Sequence, residues 1–145
     1  MNPIKIYRKF YKNFEHLQFR LDEGSNEEKA VFHTEMQVKA AGEDKIYVQC
    51  VVYNEGSAHM FFTFDLLEPT LENLLLINEL NINTSFMKAY INKADDRYFF
   101  EIHYSASGMQ NEDQVVDQLN NFLANLVSDV NIPKIKKILE RTVAL

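Results

Sequence analysis

One cysteine (Cys50), three prolines, four glycines and no tryptophan are the scarce residues of this 145-residue chain, and each scarcity excludes something. A single thiol cannot build an intramolecular disulfide framework, so stability must come from a packed core, and the composition suits a reducing compartment. Gly24, Gly42, Gly56 and Gly108 stand apart in the chain. That spacing leaves out the clustered glycines with which nucleotide-binding loops cradle phosphate. No stretch approaches the ~18 consecutive apolar residues of a membrane span, so no membrane partner is expected. The amino-terminal region is broken by Lys5, Arg8, Lys9 and Lys12 and so lacks the apolar run of a secretory leader. A cytoplasmic location follows as the expectation. Catalytic motifs are missing too: the adjacent Asp95 and Asp96 fall in an expected turn, where exposure gives carboxylates no reason to act as general acids.

Hydrophobic residues make up 46% of the chain and charged residues 25%, as in an ordinary globular domain. The length suits one domain over residues 1–145, able to bury roughly 70% of its unfolded surface. Eleven phenylalanines and seven tyrosines predict an aromatic core. The formal charge of -6 is unevenly spread: residues 1–20 carry +4 and the tail from Asn131 carries +3, so basic ends flank an acidic body. The acidic balance makes nucleic acid an unlikely partner.

Ile6, Phe10, Phe14 and Leu17 recur at helical spacing, which predicts a helix over 3–20 with Pro3 in its first turn. A polar connection at 22–28 follows. Three strand patterns come next: Phe32, Met36 and Val38 alternating with polar residues, the apolar run 46–53, and the alternating run 58–65. Gly42 and the 54–57 stretch supply the turns. Pro69 suits the first turn of a helix reaching Leu80, with Asn81 or Asn83 ending it in a left-handed conformation. Strands over 87–92 and 98–104 flank a turn at 94–96. Asn111 and Gln114 form a capping-box pattern at the start of the last long helix. The apolar stripe of that helix runs from Val115 through Val127 and Val130 to a break at Pro133, and a short basic helix follows.

The order α-β-β-β-α-β-β-α resembles the YbjN family, suggested bacterial sensory transduction regulators, whose fold is in turn similar to type III secretion chaperones. The likeness is clearest in residues 71–104. There an apolar helix ends in an asparagine-rich segment, a Phe-Met-Lys strand follows, and a polar turn opens an aromatic strand. The resemblance implies an α+β fold, a twisted antiparallel sheet packed by helices. It also implies frequent dimerisation, no cofactor, and, among the chaperones, capture of extended segments of a partner protein.

Four constellations carry candidate functions. His33, His59 and His103 fall on the polar side of separate strands, with Glu35 and Glu101 in matching parity. A metal cluster would form there if those strands were adjacent, but the spacing is not that of a metal motif and the plain reading is a solvated sheet face. The same face is expected to carry Tyr47, Val51, Tyr53, Phe61 and Phe99, a mixture of aromatic and polar groups suited either to a partner interface or to packing against a helix. Lys5, Arg8, Lys9, Lys12 and His16 follow helical spacing, which suits an acidic partner, RNA or anionic lipid, or simply a solvated helix face. Cys50 shares parity with Ile46, Val48 and Val52 and reads as a small core residue. The expected function is a non-enzymatic interaction module, a homodimer binding a partner protein segment. The candidate partner-binding residues are Lys5, Arg8, Lys9, Lys12, Tyr47, Tyr53, Phe61 and Phe99. The alternative is a small-molecule or metal-binding protein using the histidine-bearing face.

Overall fold

Period-two alternation becomes register in five long strands of the computed structural model, which describes residues 1–42, 44–82 and 86–143. These are β2 (Lys29–Gln37), β3 (Lys45–Tyr53), β4 (Ala58–Leu66), β5 (Met87–Ala94) and β6 (Arg97–Ala106), preceded by a two-residue strand, β1 (Arg20–Leu21). They form one antiparallel sheet in the order β1-β2-β3-β4-β6-β5. The tight turns use the backbone freedom that the local residues allow. Asp95 and Asp96 both adopt positive φ, 52° and 61°, between β5 and β6, as a two-residue hairpin turn requires.

Among the described residues there are four α-helices: α1 (Pro3–Asn13), α2 (Leu71–Asn81), α3 (Glu112–Leu126) and α4 (Ile132–Leu139). The long strands turn one set of alternating side chains inward, β2 and β3 toward α1, β4 toward α3 and β5 toward α2. Phe32, Val48, Cys50, Met60, Phe62, Ile102 and Tyr104 are fully buried on that inner face, under Ile6 and Phe10 of α1 and Val115, Leu119 and Phe122 of α3. Burying each large side chain contributes roughly 1.5–3 kcal/mol, so this layer dominates stability. The aromatic core expected from composition is present as contacts: Phe10 meets Phe19 and Phe32 at ring-centre distances of 5.2 and 5.8 Å, and Tyr104 meets Phe122 at 5.3 Å. Tyr104 also donates to Asn125 Oδ1 at 2.7 Å, and Asn131 donates to that same oxygen at 3.0 Å, joining the sheet to the α3–α4 turn.

The structure corrects several boundaries. The first helix stops at Asn13, not residue 20. Phe14 leaves the helical region to place its ring 5.0 Å from Phe10, a single 3-10 turn covers Glu15–Leu17, and Gln18 is left-handed. Pro69 lies outside α2, because Thr70 caps that helix by accepting from the Asn73 N–H at 3.2 Å. α3 ends at Leu126, seven residues before Pro133, and Val127 and Val130 are exposed instead of continuing its buried stripe. The short helix after the break is present as α4, with Pro133 in its first turn. The Asn111–Gln114 cap forms at 2.9 Å, although the Gln114 side chain accepts from Gln110 N–H and not from Asn111. Asn81 does not end α2 in a left-handed state: the next residue, Ile82, stays right-handed, and the Asn81 amide turns to strand β5. The other proposed terminator, Asn83, lies outside the described residues.

Candidate functional site

Because α1 and α3 occupy the inner face, the outward set of strand residues forms the opposite face of the sheet. The register fixes its rows. One row runs Arg20, His33, Gln49, Phe61, His103, Lys88, and its neighbour runs Glu35, Tyr47, Thr63, Glu101, Tyr90. Tyr47, Val51, Tyr53, Phe61 and Phe99 share this face, as the parity of the sequence indicates. Tyr47 is 40% exposed, and Tyr53, Phe61 and Phe99 are half-buried among their strand neighbours. Bases and acids are interspersed: Arg20, Lys29, Lys45 and Lys88 share the face with Glu35, Asp65 and Glu101.

The histidines divide. His59 Nδ1 lies 3.0 Å from His103 Nε2, one nitrogen donating and the other accepting, because β4 pairs directly with β6. His33 stands two strands away and binds Asp22 through Nδ1 at 2.8 Å. The three-histidine cluster with Glu35 and Glu101 therefore does not form, since β3 and β4 separate β2 from β6. Among the described residues no three ligating side chains converge as a metal site. Cys50 is fully buried, and burial pushes its thiol well above the usual range, which denies it a nucleophilic role.

Electrostatics keep the His59–His103 pair neutral at physiological pH. Half-burial, the neighbouring His59 and Lys88 together lower His103 to about 4, and burial also lowers His59 against a weaker opposing pull from Glu55. Phe61 and His103 are 4.1 Å apart at ring centres and inclined by only 10°. Adjacent strands are ~4.8 Å apart, so these rings stand upright on the sheet with their faces turned to one another. Tyr90 is raised by burial and by Glu101, and Tyr47 by burial and by Asp22.

Concavity gathers at one corner that the sequence did not signal. Three depressions meet around Glu35 and Lys45. One, of about 640 Å³, runs between Phe14 and Leu17, Met36 of β2, and Leu123 and Ala124 of α3. It lies beyond β1, which is only two residues long and pairs with β2 at Phe32 and His33. No sequence motif marks this corner, where the left-handed Gln18 leads the chain from the 3-10 turn into β1 alongside β2.

The basic stripe is only partly available. Lys9 binds Glu112 at 3.4 Å and Asp113 at 3.2 Å, and the Asn2 N–H donates to Glu112 at 3.0 Å, which ties the start of α1 to the start of α3. Lys5, Arg8 and Lys12 are exposed and form no ion pair among the described residues. His16 falls in the 3-10 turn beyond α1 and leaves the stripe.

An antiparallel sheet with helices on one face and a mixed aromatic and polar face on the other defines the class of architecture. No family model matches the chain, and no curated protein matches it. Among solved structures, the chain is similar to YbjN from E. coli, a suggested transcription regulator. The TM-score is 0.54 over 94% of this chain and 87% of that one, with 12% sequence identity. The chain therefore has the YbjN-type α+β fold, as the order of its elements implied. At that identity the likeness is one of fold.

Proposed function

We propose that this protein is a non-enzymatic, cytoplasmic interaction module that captures an extended segment of a partner protein on the open face of its sheet. The observation that supports this reading is the face itself. Tyr47, Tyr53, Phe61 and Phe99 are spread along one face of the sheet, and the charges among them are of both signs. Aromatic anchors surrounded by mixed charge suit a segment whose apolar side chains alternate with polar ones of both signs. The depression lined by Arg20, His33, Glu35, Lys45 and Tyr47 continues the face to the β1–β2 edge and offers room for the end of such a segment. Nucleic acid suits this protein less well, since its net charge of -6 opposes phosphate binding. A homodimer belongs to the same proposal.

The test is paired affinity capture from the native host's lysate, with nuclease, using the protein and its Tyr47→Ser/Phe61→Ser variant. A nuclease-resistant partner that the variant loses, and whose bound segment maps to a short stretch, supports the reading. A partner held equally well by the variant, or capture abolished by nuclease, removes it.

A further inference from the structure

His59 of β4 and His103 of β6 meet diagonally across a strand pair, since Phe61 stands opposite His103 and Ser105 opposite His59. The nearest ring nitrogens, Nδ1 of His59 and Nε2 of His103, are 3.0 Å apart. Both rings are braced. Phe61 lies nearly parallel to His103 at 4.1 Å, and Tyr53 meets the His59 ring edge-on at 6.1 Å. Metal–imidazole bonds are ~2.0–2.1 Å long, so two nitrogens on one ion are about 2.9 Å apart at a right angle and about 3.3 Å apart at the tetrahedral angle. The observed spacing is that of the right-angled pair, which suits nickel(II) and not tetrahedral zinc.

We propose that His59 and His103 are adjacent ligands of a divalent transition-metal ion of right-angled coordination, with nickel(II) as its type. The inference goes beyond the partner-binding reading and is independent of it. No third carboxylate, thiol or imidazole joins the pair among the described residues, so water fills the remaining positions. The rings release no proton on binding. In the present hydrogen bond one imidazole already carries its proton on the far nitrogen. The other moves its proton to its own far nitrogen, so both near lone pairs face the ion and the rings stay neutral. Because both rings are already neutral at physiological pH, protons do not compete with the ion. The bracing by Phe61 and Tyr53 reduces the ordering cost of chelation. The neighbouring charges act in opposite directions: Glu55 in the β3–β4 turn attracts a cation on the His59 side, and Lys88 of β5 repels it on the His103 side. Two protein ligands beside a lysine make an exchangeable site, unlike the closed four-ligand cage of a structural zinc.

The test is calorimetric titration of nickel(II) chloride into tag-free protein at pH 7.5, comparing the unaltered chain with His59→Phe, His103→Phe and, as the control, His33→Phe. His33 is the control because it stands two strands away and binds Asp22. One ion per chain is expected for the unaltered protein and for His33→Phe, with affinity at least tenfold weaker in each of the other two. In the unaltered chain, paramagnetic nickel is expected to broaden the NMR signals of the His59, His103 and Phe61 rings first, a readout that needs no variant. Absence of heat and broadening, affinity retained by His59→Phe or by His103→Phe, or affinity lost in His33→Phe overturns the proposal. In the last case the ion sits at the His33–Asp22 pair.

Discussion

Replacing His103 with phenylalanine should flatten the acid side of the stability profile. His103 is lowered from 6.5 to about 4 in the folded protein, by half-burial first and then by His59 and Lys88. Between those two values the unfolded chain binds a proton that the folded chain refuses. Stability is therefore full above pH 6.5, declines as pH falls through this window, and has lost the whole contribution once the pH drops below about 4. A displacement of this size corresponds to about 3 kcal/mol for a ring shielded from water, and solvent screening of a half-exposed ring reduces it to about 1 kcal/mol. Phenylalanine preserves the stack on Phe61, whose centre is 4.1 Å away, and removes the titration. The assay is urea unfolding at pH 7.5, 5.5 and 4.5, taken as the difference between the two proteins so that carboxylates titrating in both cancel. The gap should move in favour of His103→Phe by about 1 kcal/mol between the extremes. A pH-independent difference, or a His103 ring seen by NMR to titrate near 6.5, would refute the reasoning.

Two further outcomes follow from the core and its turns. Gly56 has φ 100°, and a Cβ there would lie 2.0 Å from the Met109 carbonyl oxygen, so Gly56→Ala should cost at least about 2 kcal/mol and lower Tm by several degrees; an unchanged Tm would contradict the geometry. Tyr104→Phe removes the bond to Asn125 and leaves that acceptor to Asn131 alone, so a loss of about 1–2 kcal/mol in denaturant unfolding is expected, and a neutral result would mean water replaces the hydroxyl.

Much of the fold was legible because a strand has only two faces. Parity alone places Tyr47, Phe61 and His103 together on one side and Cys50 on the other, and the structure keeps that division. Parity does not say which strands are neighbours. His33 shares the face with His59 and His103, but the insertion of β3 and β4 between β2 and β6 leaves it with Asp22. The helix ends were obscured for a similar reason. Phe14 and Leu17 continue the apolar spacing of α1 although they pack from outside it, and Val127 and Val130 continue that of α3 although the chain has already turned. β1, two residues long, is too short to show any alternation. In α2 the run LENLLLINELN sets apolar residues on more than one side, and only the packed structure separates its buried side from its exposed one.

The central claim is that the open sheet face, not the basic stripe of α1, binds the partner segment. Calorimetric titration of the captured partner's segment into three proteins tests it most directly: the unaltered chain, Phe61→Ser, and Arg8→Glu/Lys12→Glu. Loss of a buried aromatic anchor predicts at least a tenfold weaker Kd for Phe61→Ser, with the α1 variant within about threefold of the unaltered chain. Equal affinity for Phe61→Ser, with binding lost in the α1 variant, would contradict the account and move the interface to α1.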